Sequence, residues 1–195
     1  MGEEQSLRQK TAKGLFWGGL SNSLQQLLGL LFGIVLARLL SRSDYGMIGM
    51  LTIFSTIANI LQESGFISAL VNRKNASDKD YNAVFWFSVS CSAILYILLY
   101  LSAPLIAEFY RTPELVPLSR LTFLSFFIAS LGIAPRAILF RNLKVKENTI
   151  ISLSSLTLSG ITAIVLAVNG FAYWGIAIQS LVYVAVVVIL LSLIH

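Results

Sequence analysis

Residues 16–33 read "FWGGLSNSLQQLLGLLFG", and no charged side chain occurs between Lys13 and Arg38. That length of apolar chain suffices for a bilayer crossing, which takes about 20 residues at 1.5 Å each. Yet its middle holds Ser21, Asn22, Ser23, Gln25 and Gln26. The stretch is too long for a signal-peptide core, and no small-residue cleavage site follows it. The sequence therefore predicts a retained transmembrane helix with polar groups in its interior.

The whole chain supports that reading. Hydrophobic residues make up 56% and charged residues 12%, against about a quarter charged in soluble domains. Six runs are long enough to span: Gly14–Leu40, Met47–Val71, Ala83–Ala107, Leu118–Phe140, Thr149–Val168 and Ala172–Ile194. The predicted fold class is all-α, a polytopic membrane bundle of six helices forming one lobe over residues 1–195. Residues 1–13 form a polar cytoplasmic tail, either a short surface helix or irregular chain. The abrupt apolar end suggests part of a longer protein.

Basic residues orient the spans. Arg8, Lys10, Lys13, Arg73, Lys74, Lys79, Arg136, Arg141, Lys144 and Lys146 fall in one set of alternate connections. Only Arg38, Arg42, Arg111 and Arg120 fall in the other. Positive charge gathers on the cytoplasmic side, so both termini are expected there. The same clustering between apolar runs argues that the net charge of +5 reflects topology and not nucleic-acid binding. Asn169 and Gly170 suit a tight turn with positive φ. Pro104 and Pro135 should each kink or end a helix.

Chemistry by common routes is excluded. Cys91 is the only cysteine and His195 the only histidine, which leaves no disulfide, His-based triad or His-metal motif. No GxSxG or Walker A motif occurs. No enzyme activity, metal or cofactor is expected.

The polar residues of the first two spans fall on faces. At about 100° per residue, Gly18, Asn22, Gln25, Gly29 and Gly33 share one side of helix 1, with Gln26 at its edge. On helix 2, Gly49, Thr52, Thr56, Asn59 and Glu63 do the same. Lipid offers an amide no partner. Each stripe must therefore meet either another helix or a hydrated cavity, and two such stripes favour a shared interior surface. Glu63 has three readings: solvation at the interface, coupling to protons or sodium ions, or a structural ion pair. The arginines have two. They anchor helix ends by snorkelling, or their planar forks hold an anionic headgroup or diphosphate. The outer Arg38, Arg42 and Arg120 fit the second reading slightly better, because the charge rule does not explain them.

Four segments then show a resemblance. "VLARLLSRSDYGMIGML" at 35–51 resembles the first-to-second helix junction of bacterial polysaccharide flippases, through Asp44, Tyr45 and Gly46. "ESGFISALVNRKN" at 63–75 resembles their second helix end. "APRAILFRNLKVKE" at 134–147 is similar to their helix 4–5 connection, with Val145 in place of the usual Phe. "NGFAYWGIAIQSLV" at 169–182 matches at Gly170, Trp174, Gln179 and Leu181, and departs at Gly175. The family is the Wzx-like flippases of the multidrug/oligosaccharidyl-lipid/polysaccharide superfamily.

That resemblance implies two lobes of six helices around a central cavity. It implies a polyprenyl-diphosphate-linked oligosaccharide as cargo, alternating access across the bacterial inner membrane, and further carboxy-terminal helices as the opposing wall. Asn22, Gln25, Gln26, Thr52, Thr56, Asn59, Arg38 and Arg120 become cavity-lining candidates, and Glu63 an ion-coupling candidate. Three alternatives remain: a cation-coupled drug exporter of the same superfamily, a membrane polymerase or ligase, and a scaffold.

Overall fold

The computed structural model describes residues 2–62, 78–142 and 144–194, and every regular element in them is helical. The elements are α1 (Gly2–Leu39), α2 (Arg42–Gln62), α3 (Asp78–Phe109), α4 (Leu115–Leu131), α5 (Ile133–Arg141), α6 (Val145–Val168) and α7 (Ala172–Ile194). Residues 2–13 are helical and continue directly into α1, so the polar leader is the first part of that helix.

Four of the described helices are long and apolar enough to cross a membrane: α1, α3, α6 and α7. They are five if α4 and α5 count as one broken span. The second expected span, 47–71, is described only as far as Gln62. Its helix starts five residues earlier than the apolar pattern suggests, and the cause is local. The Asp44 carboxylate accepts hydrogen bonds from the Ser41 backbone N–H at 2.8 Å and the Ser41 hydroxyl at 2.7 Å. The Ser41 hydroxyl in turn accepts the Asp44 N–H at 3.2 Å. This reciprocal capping box satisfies donors at the start of α2. The acidic residue of the 35–51 motif is thus a helix cap.

The fourth span is not one straight helix. α4 and α5 meet at a 44° bend. Pro135 has no N–H for the Leu131 carbonyl, and its ring crowds that carbonyl; the chain breaks at Gly132, between them. Pro104 behaves differently, since α3 runs on to Phe109. Of the predicted turn residues, Gly170 has φ +84°, whereas Asn169 stays at φ −81°.

α6 packs on α1 and α7, while α4 packs on α3 and α7. α2 leans on α4 and α7. The main apolar core joins Leu51 of α2, Ile106 of α3, Leu118 and Phe123 of α4, and Ala177 of α7. Most large residues on the outer faces, such as Leu27, Ile97, Leu101 and Ile161, are exposed, as a lipid-facing surface requires.

Between helices the contacts use small residues. Apolar lipid gives packed helices no hydrophobic advantage, so close backbone approach substitutes for it. A Cβ at Gly160 of α6 would lie 2.5 Å from the Phe32 ring of α1. One at Gly175 of α7 would lie 3.1 Å from the Ala163 carbonyl oxygen of α6. Buried serines cost little here, because they donate back to their own helix. Ser155 bonds the Ile151 carbonyl at 2.7 Å, and Ser130 bonds that of Phe127 at 2.6 Å.

Candidate functional site

A partly open cavity with mixed polar and apolar lining lies between α2, α4, α6 and α7. It has a volume of about 480 Å³. Ser55 comes from α2, Thr122 and Ser125 from α4, Ser159 from α6, and Gln179, Ser180 and Tyr183 from α7. Phe126, Ala129, Leu156 and Val184 complete the lining, so none of the lining side chains is charged.

Helical spacing puts these groups together. Thr122, Ser125 and Ala129 stand at i, i+3 and i+7, and Gln179 and Tyr183 at i and i+4, which is one face in each case. Four hydroxyls donate to backbone carbonyls of their own helix: Thr122 to Leu118 at 2.9 Å, Ser125 to Thr122 at 2.6 Å, Ser159 to Leu156 at 3.1 Å, and Ser180 to Ile176 at 3.3 Å. Their oxygens can still accept. The Ser55 hydroxyl, the Gln179 amide and the Tyr183 hydroxyl form no hydrogen bond among the described residues. The cavity therefore presents free donors, many acceptors and two aromatic rings. Such a lining suits a neutral, hydroxyl-rich group.

The residues expected from sequence sit elsewhere. The packed face of α1 runs through Ser21, Gln25, Leu28, Phe32 and Leu36, all buried or half-buried. The amide stripe lies beside it, turned by roughly 60° around the helix. Asn22, Gln26, Gly29 and Gly33 are exposed, and a Cβ at Gly18, Gly29 or Gly33 would meet nothing within 4 Å. Gln25 sits at the border and donates to the Ser21 hydroxyl at 2.8 Å. Thr52 and Thr56 are exposed on α2 and bond their own helix, at Ile48 and Thr52. Among the described residues α1 and α2 do not pack along each other. Both stripes are thus open surfaces of this lobe. The side chain of Asn59 and the whole of Glu63 lie outside the described residues.

Arg38 is exposed in the last turn of α1. Arg120 is half-buried and turned away from the cavity, with its guanidinium 4.1 Å over the Tyr100 ring of α3. The basic residues at the opposite end of the bundle are held by aromatics too. Arg141 donates to the Tyr81 hydroxyl at 2.9 Å, and the Lys146 ammonium lies 5.8 Å from the Trp17 ring. Among the described residues no cluster of His, Cys, Asp and Glu could hold a metal ion.

The sequence reading missed Ser55, Thr122, Ser125, Ser159, Ser180 and Tyr183, and met Gln179 only inside a motif. The signal was present. The spacing that exposed the stripes of α1 and α2 also operates in α4, α6 and α7, where serine and threonine are less conspicuous among leucines.

Comparison with known proteins accords with this architecture. The chain is 25% identical over 176 residues to the lipopolysaccharide biosynthesis protein WzxC of Escherichia coli K12, covering 90% of the chain and 35% of the relative. It is 28% identical over 127 residues to the teichuronic acid biosynthesis protein TuaB of Bacillus subtilis 168, covering 65% and 26%. It is 26% identical over 149 residues to the succinoglycan biosynthesis transport protein ExoT of Rhizobium meliloti 1021, covering 76% and 30%. The chain thus spans about a third of the length of these relatives. No solved structure matches it. Its helices and its relatives make it a multi-pass bacterial membrane protein. The model of the polysaccharide biosynthesis protein family matches residues 35–195, and the chain belongs to that family.

Proposed function

We propose that this chain is one lobe of a flippase that carries a lipid-diphosphate-linked oligosaccharide across the bacterial inner membrane. In this reading it has six spans, with both ends in the cytoplasm. The opposing wall comes from further helices, in keeping with the greater length of the relatives. The observation that carries the proposal is the uncharged hydroxyl-and-amide cavity inside an otherwise apolar lobe. A saccharide cannot enter hydrocarbon unaided, because each unpaired hydroxyl costs several kcal/mol there. Gln179, Tyr183 and Ser55 supply donors, and the serines and Thr122 supply acceptors, so the sugar exchanges water for protein partners while its lipid tail stays outside.

The open stripes extend that surface. Asn22, Gln25 and Gln26 on α1, and Thr52 and Thr56 on α2, face the path between lobes, with Asn59 a further candidate for it. Arg38 meets the cargo's phosphates at one end, and Glu63 couples movement to a cation. The chain's own part is to bind, orient and release, with no bond made or broken.

The test is surface polysaccharide export in cells that depend on the protein. Gln179→Leu with Tyr183→Phe should cut export by about tenfold, equivalent to roughly 1.4 kcal/mol of lost interaction, while membrane level and thermal stability hold. Unchanged export would remove the cavity from the transport path.

A further inference from the structure

We propose that Arg120, stacked on Tyr100, forms a binding site for the phosphate headgroup of a membrane lipid on the flank of the α3–α4 pair. The site is separate from the cavity and does not depend on the transport reading.

Three observations converge on it. The first is an unsatisfied donor. The Nε of Arg120 is buried, and among the described residues it has no hydrogen-bond partner and no carboxylate pairs with this guanidinium. A buried N–H of a charged group is costly to leave unpaired. The second is orientation. The Tyr100 ring holds one face of the guanidinium at 4.1 Å, which fixes its plane, and the two terminal nitrogens, unlike Nε, are not buried and have no partner among the described residues. A planar fork with free edges is the arrangement that takes two phosphate oxygens at once.

The third is position. Arg120 is five residues into α4, about 7.5 Å from the helix start at 1.5 Å per residue. The connection just beyond, residues 110–114, reads "YRTPE" and is mostly exposed. That depth matches the boundary between headgroups and acyl chains. Ile97 and Leu101, next to Tyr100 on α3, are exposed at 56% and 66%. An acyl chain has apolar surface to lie on directly beside the phosphate position. A free phosphate ion would use the arginine and waste that surface; an amphiphile uses both.

Native mass spectrometry of the detergent-purified chain tests this, titrating phosphatidylglycerol, a polyprenyl phosphate, diacylglycerol and inorganic phosphate. Phosphatidylglycerol or the polyprenyl phosphate should bind roughly tenfold more tightly than diacylglycerol, and Arg120→Met should abolish that preference. Arg120→Lys should retain part of it, since lysine keeps the charge but loses the fork. Whichever phosphate lipid binds more tightly identifies the source of the headgroup. Equal retention of diacylglycerol, or a preference unchanged in both variants, overturns the site. Displacement of the lipid by inorganic phosphate at comparable concentration overturns its assignment to lipid. Should Arg120→Met fail to fold, Arg120→Lys and Tyr100→Leu decide the matter, because each removes one half of the arrangement.

Discussion

The open stripe on α1 and the partly open cavity between α2, α4, α6 and α7 both carry polar groups in an apolar protein, yet they are built differently. The stripe relies on large amides separated by glycines, Asn22 and Gln26 beside Gly29 and Gly33, and nothing packs over them. The cavity relies on small hydroxyls that bond their own helices, so each wall is stable before any ligand arrives. A surface completed by something beyond the lobe carries long side chains. A surface completed within the lobe carries short ones, because the helices must also touch each other. Ser159 lines the cavity, and its neighbour Gly160 receives Phe32 of α1. One turn of α6 therefore serves both.

Breaking that shared turn should have the largest effect. In Gly160→Val the new side chain collides with the Phe32 ring, whose nearest atom is already 2.5 Å from an ideal Cβ. Overpacking of this kind costs about 1–3 kcal/mol, read as a lower midpoint of thermal unfolding in detergent. Adding Phe32→Ala should recover most of the loss. Without that recovery, the seam between α1 and α6 is not what Gly160 serves.

A smaller effect separates the two surfaces from each other. Asn22→Leu with Gln25→Leu should lower export several-fold, with membrane insertion intact or improved, since leucine is favoured at a helix centre by about 3 kcal/mol over charged residues and by less over amides. Gln179→Leu should act in the same direction and more strongly, because its amide lines a cavity to which four helices contribute. If the α1 pair alone abolished export while Gln179→Leu did nothing, the stripe would be the binding surface and the cavity only a packing gap.

Much of the fold was legible because bilayer thickness fixes the length of apolar runs. The apolar runs located α1, α3, α6 and α7, and Pro135 located the break between α4 and α5. The early start of α2 was not legible from hydropathy, since Arg42, Ser43 and Asp44 are polar and only the reciprocal Ser41–Asp44 bonds make them helical. The candidate site was half legible. Amides stand out among leucines, so α1 and α2 drew notice. Which face of a helix is covered depends on its neighbours, and no periodicity within α1 could say that its packed seam runs beside the stripe, through Phe32 and Leu36.

Two helix ends show the same limit at the scale of one residue. α6 ends with Gly170 at φ +84°, and the Phe171 N–H bonds the Leu166 carbonyl at 2.9 Å. α3 ends the same way, with the Thr112 N–H on the Ala107 carbonyl at 2.9 Å, but the left-handed position is Arg111 at φ +52°. Glycine takes that conformation freely and so announces the turn. Arginine has no such preference, and it stands between the buried Ala107 and Leu115. Arg111→Gly should therefore relieve strain and raise stability by about 0.5–1 kcal/mol, a rise of a few degrees in the unfolding midpoint. Gly170→Ala should lower it by a similar amount, even though a Cβ there meets nothing within 4 Å. Opposite signs from two exposed turn positions would show that backbone conformation, and not lost contact, sets how these helices end. Equal signs would mean that the Arg111 side chain contributes something at that end of the bundle that its backbone cost conceals.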